Sequence, residues 1–351
     1  MKITETKKSR LKEVDFENLA FGEIFSDHML SMEYKAGKWG NEQITPYGPM
    51  EIYPAICSLH YAQVIFEGLK AFHGKNGSTY IFRPQKYHER MNQSCKRLCI
   101  PEVNLDAFMN GLKELITLDK GWVPKKRGYS LYIRPFIFAT DNFLGVKVSD
   151  TYRYITITSP VGAYYKEGIN PVRLITSGEY IRASKGGLGA AKTPANYAAT
   201  LLPGEEAKKK GFTQVLWLDG IERKYVEEVG TMNLFFLIGD ELITPPLEGT
   251  ILPGVTRDSV IHLARDWGMK ASERRLSIDE VFAASKKGTL KEVFGSGTAA
   301  VISPVGEIHH DGQKMIVNEN KIGPLAQKLY DEITGIQYGE RPDKFGWRYT
   351  A

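Results

Sequence analysis

A single lysine lies in a segment made almost entirely of small residues. The run Lys-Gly-Gly-Leu-Gly-Ala-Ala-Lys-Thr-Pro-Ala-Asn-Tyr at 185–197 places Lys192 among residues with little side chain, which leaves room for a flat ligand. A lysine enclosed by apolar neighbours has a depressed pKa and can attack a carbonyl carbon. Most lysines lie at the protein surface, so an exposed lysine in a flexible loop is the other interpretation. Lys192 is therefore a candidate Schiff-base nucleophile.

A carboxylate begins an apolar run further along the chain. Glu228 lies in the sequence Glu-Glu-Val-Gly-Thr-Met-Asn at 227–233, beside residues that should be buried. A buried carboxylate needs a partner. A protonated pyridine nitrogen is one such partner, and it makes the ring an acceptor of electrons from a bonded carbanion. A solvent-exposed glutamate at a strand edge is the other interpretation of Glu228.

Two glycine-containing segments have the features of anion cradles. Gly-Val-Thr at 254–256 begins a predicted helix, and Gly-Ser-Gly-Thr at 295–298 is predicted as a turn. Each offers backbone N–H groups and a hydroxyl, and the first adds the positive end of a helix dipole. Either could be an ordinary turn or cap, and neither has the Gly-Lys-Ser/Thr order of nucleotide-binding loops. With the lysine and the carboxylate, these segments match the phosphate, aldehyde and ring nitrogen of pyridoxal 5′-phosphate.

Six ordered blocks carry a resemblance to a known family. They are LHYAQVIFEGLKAF at 59–72, FRP at 82–84, YIRP at 132–135, PVGAY at 160–164, EVGTMN at 228–233 and GSGTA at 295–299. From about Leu19 to Tyr338 the chain resembles the branched-chain amino acid aminotransferases of the fold type IV pyridoxal-phosphate enzymes. The resemblance implies reversible, ping-pong transfer of the amino group of L-leucine, L-isoleucine or L-valine to 2-oxoglutarate through a pyridoxal-phosphate aldimine.

The resemblance also implies roles for the residues that bind the cofactor. Lys192 would form the internal aldimine, Glu228 would pair with the pyridine nitrogen, and Tyr197 would hydrogen-bond the phenolic oxygen of the ring. The residues that it implies for the phosphate are Arg83, the backbone of Val255 and Thr256, and Thr298. No metal is implied.

Substrate residues follow from the same resemblance. Arg134 would meet the second carboxylate of glutamate, and the N–H groups of Thr231 and Ala299 would receive the α-carboxylate. The aromatic walls would be Tyr61, Phe66, Tyr132 and Tyr164, although aromatic residues in strands are more often core than pocket. A homodimer is implied, in which a loop of the neighbouring subunit, with Tyr61 on or near it, completes the site.

The chain departs from part of the family after the Gly-Ser-Gly-Thr segment. Mammalian-type members carry a Cys-x-x-Cys pair there, whereas this chain has Ala300 and Ser303. Thiol-based redox regulation at those positions is therefore not expected. Two alternatives stay open: another fold type IV enzyme (a D-amino acid or amine transaminase, or an aminodeoxychorismate lyase), or a non-catalytic protein that binds pyridoxal phosphate.

Composition and charge exclude several other classes of protein. The 351 residues are 42% hydrophobic and 25% charged, enough for two domains. The 46 Lys and Arg residues are interspersed with 41 Asp and Glu residues and leave a formal charge of +5, which argues against nucleic acid as a partner. No apolar stretch approaches the ~18 residues of a membrane span. Three cysteines and no export signal favour a reducing cytoplasm.

The pattern of elements predicts an α+β protein of two domains, each a mixed or antiparallel sheet or barrel with flanking helices. The predicted domains are a smaller N-terminal one at 1–160, a connector at 161–171 and a larger cofactor-binding one at 172–351. The predicted strands include Thr79–Phe82, Ser130–Ala139, Tyr152–Ser159, Val172–Thr176, Gln214–Leu218, Glu228–Ile238 and Glu241–Thr244. The predicted helices include Tyr87–Leu98, Leu105–Leu118, Pro194–Lys210 and Pro324–Thr334.

Overall fold

The computed structural model describes residues 1–162 and 170–351. The chain forms two units. The first comprises Met1–Lys166, Ala191–Pro194 and Gly335–Ala351, and the second comprises Glu167–Ala190 and Ala195–Thr334. In the parts of the chain that the structure describes, no helix has the length and apolar character needed to cross a membrane.

Strands and helices are numbered along the chain. The strands are β1 (Lys2–Ile3), β2 (His28–Lys35), β3 (Lys38–Pro46), β4 (Val64–Phe66), β5 (Leu69–His73), β6 (Thr79–Phe82), β7 (Ser130–Ala139), β8 (Tyr152–Val161), β9 (Val172–Thr176), β10 (Gln214–Leu218), β11 (Val226–Val229), β12 (Met232–Ile238), β13 (Glu241–Thr244), β14 (Lys270–Glu273), β15 (Leu290–Gly297), β16 (Val301–His310), β17 (Gln313–Ile316) and β18 (Arg348–Thr350). The α-helices are α1 (Cys57–Tyr61), α2 (Pro84–Arg97), α3 (Leu105–Leu118), α4 (Pro194–Ala198), α5 (Leu201–Lys209), α6 (Val255–Asp266), α7 (Ile278–Lys286) and α8 (Pro324–Gln337).

The first unit is built on one mixed sheet. Its strand order is β1-β3-β2-β8-β7-β5-β6-β18, with β4 pairing β7. The β1–β3 pair is parallel, and β7 and β8 are antiparallel over their full length. Side chains alternate between the faces of a strand. Since Leu131, Ile133 and Ile137 of β7 are buried on one face, Tyr132 and Arg134 lie on the other.

The second unit contains a barrel. Within the described residues, six strands follow one another in the order β11-β10-β9-β16-β15-β12, and pairing of β11 with β12 closes the ring. The ring is mixed, because β9 is parallel to both β10 and β16. Glu292 of β15 supports helix α8, since its two carboxylate oxygens accept from the N–H groups of Leu325 and Ala326, each at 2.9 Å.

The structure confirms the predicted fold class and corrects two predicted elements. The strand Glu228–Ile238 is wrong, because the chain reverses at Gly230 and forms the antiparallel pair β11–β12. Gly230 has φ +54°, and a Cβ there would lie 1.6 Å from Gln214 Oε1, so a larger residue would be strained in this turn and would displace the Gln214 side chain. The helix Pro194–Lys210 is wrong as well. It ends at Ala198 and restarts at Leu201, because Pro203 fits a first helical turn but not a helix interior.

Two further predictions differ from the structure. The segment 295–298, predicted as a turn, lies in β15 up to Gly297. The predicted domain 172–351 included the C-terminus and Lys192, whereas the structure groups the segments 335–351 and 191–194 with the first unit. The reason is long-range pairing: β18 pairs with β6, and the Lys192 backbone bonds residues of the first unit. Most of the predicted connector, 163–169, lies outside the described residues.

Candidate functional site

Lys192 is held by its backbone in the first unit. Its N–H donates to Ser94 Oγ at 2.9 Å, and its carbonyl accepts from the Phe66 N–H at 3.0 Å. Its Nζ lies 4.9 Å from the centre of the Phe66 ring, within range of a cation–π contact. The side chain is partly buried. Lys192 is therefore an anchored lysine on an aromatic face, unlike an exposed lysine of a flexible loop.

Arg134 lies against the same aromatic ring. Its guanidinium carbon is 4.7 Å from the centre of the Phe66 ring, and its Nη2 donates to the Tyr132 hydroxyl at 3.0 Å. A Cβ on Gly68 would lie 1.9 Å from that hydroxyl, so the glycine makes room for Tyr132. The buried Nε of Arg134 has no hydrogen-bond partner among the described residues. The guanidinium thus retains a donor for an anion.

Lys70 is a residue that the sequence analysis missed. It lies on β5 and pairs with Tyr132 on β7, so the two side chains share a face of the sheet. Burial lowers the pKa of Lys70 to about 8. The sequence block at 59–72 contains Lys70, but the sequence does not show the strand register that places Lys70 opposite Tyr132. A buried amine therefore lies on the same face of the sheet as the Arg134 guanidinium.

Two other predicted residues of the first unit have different surroundings. Arg83 has φ +50° and immediately precedes α2, and its guanidinium lies 4.8 Å from the centre of the Trp347 ring. Tyr61 ends helix α1 and is 43% exposed. The structure does not place Tyr61 in ring contact with Phe66 or Tyr132 within this chain; its ring contact is with His60. Tyr164 lies outside the described residues.

Glu228 is a buried carboxylate of the second unit. It is 2% exposed, so the interpretation as a solvent-exposed strand edge is wrong. Asn233 Nδ2 donates to its Oε1 at 3.0 Å, and the Nε of Arg182 forms a short ion pair with its Oε2. The terminal nitrogens of Arg182 donate to the carbonyls of Gly189 and Thr250. An adjacent guanidinium favours the ionised form of a carboxyl group.

Asn233 connects this carboxylate to the start of helix α6. Its Nδ2 also donates to the Leu252 carbonyl at 2.9 Å, and its Oδ1 would lie 1.9 Å from a Cβ on Gly254. Gly254 is the N-cap residue of α6 and provides no side-chain cap. The start of such a helix carries the positive end of the helix dipole, which attracts an anion. Glu228 and this helix start are thus held by one amide.

The strand register aligns three polar side chains. Glu228 pairs with Asn233, and Asn233 pairs with Ser296, so all three lie on one face of β11, β12 and β15. The buried Oγ of Ser296 has no hydrogen-bond partner in the part of the chain that the structure describes. A fixed carboxylate, an open hydroxyl and an uncapped helix start fit a ring that carries a basic nitrogen and a phosphate.

The remaining predicted residues of the second unit lie in short helices and turns. Tyr197 is a partly buried residue of α4, and Thr231 is an exposed residue of the β11–β12 turn. Thr298 and Ala299 are partly buried in the turn between β15 and β16, while Val255 and Thr256 are buried at the start of α6. In the described ranges, no group of three or more His, Cys, Asp or Glu residues could hold a metal ion.

Comparisons with known proteins identify the family of the chain. The family model for amino-transferase class IV matches residues 64–308. The chain is 52% identical to branched-chain-amino-acid aminotransferase 2 of Bacillus subtilis (strain 168) over 348 residues, which are 99% of this chain and 95% of that protein. It is 46% identical to the branched-chain-amino-acid aminotransferase of Mycolicibacterium smegmatis over 351 residues, 98% of this chain and 95% of the relative.

Solved structures of the same description have the same fold. The Escherichia coli branched-chain amino acid aminotransferase superposes with a TM-score of 0.75 at 28% identity, covering 92% of this chain and 98% of that chain. A T.th branched-chain amino acid aminotransferase, solved with pyridoxamine 5′-phosphate, also gives a TM-score of 0.75 at 28% identity and covers 91% of this chain and 97% of its own.

Proposed function

The chain belongs to the class IV aminotransferases, among the branched-chain amino acid aminotransferases, and from this premise we propose that Lys192 bonds the aldehyde of pyridoxal 5′-phosphate. The enzyme exchanges the amino group of L-leucine, L-isoleucine or L-valine with 2-oxoglutarate. When bound, the cofactor supplies an aldehyde that captures the amino group and a ring that withdraws electrons. The observation that carries the assignment to this lysine is its fixed, partly buried position on the Phe66 ring.

Lys192 would move the proton in the reaction. Its Nζ, once free, would accept the proton of the substrate α-carbon as a general base and return it as a general acid. The two backbone hydrogen bonds of Lys192 fix the origin of the side chain, while its Nζ contacts an aromatic ring.

Glu228 would hold the proton on the pyridine nitrogen. Arg182 and Asn233 contact the two oxygens of this buried carboxylate, and an adjacent guanidinium favours the ionised form, which accepts a hydrogen bond from a ring N–H. The N–H groups of Val255 and Thr256 at the start of α6 would bind the phosphate, with Thr298 and Arg83. Tyr197 would hydrogen-bond the phenolic oxygen of the ring.

Arg134 would allow one pocket to accept two kinds of side chain. Its unsatisfied Nε and its Nη2 can bind the second carboxylate of glutamate. Phe66 and Tyr132, with Tyr164, would provide apolar walls for a branched aliphatic side chain. The α-carboxylate would meet the N–H groups of Thr231 and Ala299.

We further infer a homodimer. Apolar side chains are exposed on two segments that backbone hydrogen bonds join, Cys57 N–H to the Asp141 carbonyl at 3.0 Å and Phe143 N–H to the Ala55 carbonyl at 3.0 Å. The exposed residues are Ile52, Tyr53, Leu59, Tyr61, Phe143, Leu144, Val146 and Val148. A second copy that covers this patch would take Tyr61 into the neighbouring substrate site. The three free cysteines accord with a cytoplasmic location.

Borohydride trapping tests the central assignment. Reduction of the purified protein, followed by peptide mass spectrometry, identifies the lysine that bonds the cofactor aldehyde, and we expect it to be Lys192. Lys192→Ala should lose the trapped cofactor and reduce 2-oxoglutarate-dependent turnover of leucine by about 10²-fold or more. The matched variant Lys208→Ala, at an exposed position of α5, should retain both. Label on another lysine, or turnover that survives in Lys192→Ala, would contradict the proposal.

A further inference from the structure

A cavity of about 170 Å³ lies in the second unit beside β11. Its wall includes Glu227, Thr250, Lys185 and Arg275. Consecutive residues of a strand point to opposite faces, so the side chain of Glu227 points away from that of Glu228. None of the residues assigned above to the cofactor or substrate lines the cavity. It is therefore separate from the carboxylate assigned to the pyridine nitrogen.

Glu227 is a buried carboxylate whose hydrogen bonding is half complete. The residue is 8% exposed, and its Oε1 accepts from the Thr250 hydroxyl at 2.6 Å. Its buried Oε2 has no hydrogen-bond partner among residues 1–162 and 170–351. Burial raises the pKa of Glu227, against the opposing effects of the Thr250 hydrogen bond and the Arg182 charge. Buried polar groups are normally satisfied, so this carboxylate is suited to a donor brought by a ligand.

The rest of the cavity lining is acidic, apolar and basic. Its acidic residues are Asp219, whose carboxylate accepts from four backbone N–H groups, Glu222 and Glu248. Apolar surface comes from Val226, Pro245, Pro246 and Ile251. Positive charge comes from Lys185, an exposed residue that forms no ion pair with any described residue, and from Arg275. Arg275 lies 3.7 Å from the centre of the Tyr225 ring and makes an ion pair of 3.3 Å with Glu222, which also lines the cavity and from which a ligand carboxylate would have to draw it.

This combination defines the chemistry of a ligand. A carboxylate, basic groups and an apolar wall together complement a zwitterion that carries an aliphatic side chain. An apolar cavity of roughly 150 Å³ accommodates benzene, so this cavity has room for a molecule of about that size. Small aliphatic amino acids meet both conditions.

We propose that the cavity is a second amino acid site, which binds a valine-sized zwitterion with its ammonium group on Glu227 and its carboxylate toward Lys185 and Arg275. The site is placed to influence Glu228. Thr250 donates its hydroxyl to Glu227, and its carbonyl accepts from Arg182 Nη1 at 2.7 Å, while Arg182 pairs with Glu228. The importance of that connection rests on the proposed role of Glu228, whereas binding in the cavity does not.

Calorimetric titration with L-valine tests the binding site. The protein is first reduced with borohydride, which prevents reaction of the amino acid at the cofactor. We expect one bound valine per chain, and a loss of affinity of at least about tenfold in Glu227→Gln, because an ammonium–carboxylate hydrogen bond is charge-assisted. Glu205→Gln, which removes an equal charge from an exposed position of α5, should bind as the wild type does.

Two fragments of the ligand test its class. Isobutylamine has the ammonium group without the carboxylate, and isobutyrate has the carboxylate without the ammonium group, so both should bind more weakly than valine. Lys185→Met, at an exposed position where folding is not at risk, should weaken valine binding about threefold or more while leaving isobutylamine unaffected.

Three results would overturn the second site. They are absence of valine binding to the reduced protein, binding that Glu227→Gln and Lys185→Met leave unchanged, and isobutylamine binding as tight as that of valine. Binding seen only before reduction would locate the amino acid at the cofactor and would also overturn it. The lysine that borohydride labels is read separately by peptide mass, so failure of the cofactor assignment is distinguishable from failure of this site.

Discussion

The two units each contain a buried arginine–glutamate pair, and the two pairs are built differently. In the first unit, Arg90 closes Glu67 with two hydrogen bonds of 2.8 Å, from Nε and from Nη2. The Gly68 N–H donates to the same carboxylate at 3.1 Å, and the Glu67 side chain has no exposed surface. This pair uses both carboxylate oxygens and holds the chain between β4 and β5.

In the second unit, Arg182 meets Glu228 through Nε alone, and its other nitrogens bond backbone carbonyls. Asn233 donates to the remaining oxygen. Arg182 thus contacts one oxygen of Glu228 through one nitrogen, whereas Arg90 contacts both oxygens of Glu67 through two nitrogens. The difference teaches that a bidentate pair suits a support of the fold, whereas contacts from two separate residues are what the role proposed for Glu228 would require.

The first prediction concerns the closed pair, Arg90 and Glu67. Arg90→Met should lower the free energy of unfolding by about 3–5 kcal/mol, because Glu67 would remain as an uncompensated buried charge. Urea unfolding measures the change, with Arg97→Met at the exposed end of α2 as the control. The double variant Arg90→Met/Glu67→Met should recover stability. A loss equal to that of Arg97→Met would show that the closed pair is not a support of the fold.

The second prediction concerns the open pair, Arg182 and Glu228. Arg182→Met should cost about 1.5–3 kcal/mol of stability, less than Arg90→Met, because Asn233 still donates to Glu228. It should also weaken retention of the cofactor during dialysis, since Glu228 would lose the guanidinium that holds its Oε2. Arg223→Met is the matched control, as this exposed arginine donates to the carbonyls of Gly178 and Glu179. Unchanged cofactor retention in Arg182→Met would contradict the proposal that Arg182 positions Glu228 for the cofactor.

The third prediction returns to the first unit. Arg134→Met should reduce kcat/KM for glutamate about 10- to 100-fold more than for leucine, because a hydrogen bond to a charged group contributes about 1.5–3 kcal/mol. Arg153→Met, an arginine of β8 that pairs with Glu33, is the control. Steady-state measurement of kcat/KM with leucine and with glutamate as amino donors tests this prediction. Equal losses for leucine and glutamate would assign Arg134 to folding rather than to substrate choice.

Sequence reasoning reached the fold class and many elements because they depend on local pattern. Leu105–Leu118 and Ser130–Ala139 have the predicted bounds, since their apolar periodicity and β-branched content act within one element. The turn at Gly230 was missed, because its need for glycine comes from Gln214 on another strand. Pairing of β18 with β6, which moves the C-terminus to the first unit, leaves no local signal.

In the candidate site as well, some residues could be identified from the sequence and others could not. Lys192 and Glu228 stand out by residue type and context, and the structure finds both anchored. Arg182 and Lys70 could not be chosen from sequence, because each acquires its importance from a partner in another element, Glu228 in one case and Tyr132 in the other. The orientation of Glu227 into a cavity likewise depends on the hairpin that the sequence analysis took for a single strand.

The last prediction uses pH to test the buried amine of the first unit. Burial lowers the pKa of Lys70 from 10.5 to about 8, so between these values the unfolded chain binds more protons than the folded one. Stability must then rise with pH across that window, by at most about 1.4 kcal/mol per pH unit, and below it the protonated amine opposes folding. Lys70→Met should flatten the rise and stabilise the protein at neutral pH, as urea midpoints at a series of pH values would record. A rise of the same slope in Lys70→Met would mean that Lys70 binds its proton equally in the folded and unfolded chain, so that another group sets the pH dependence.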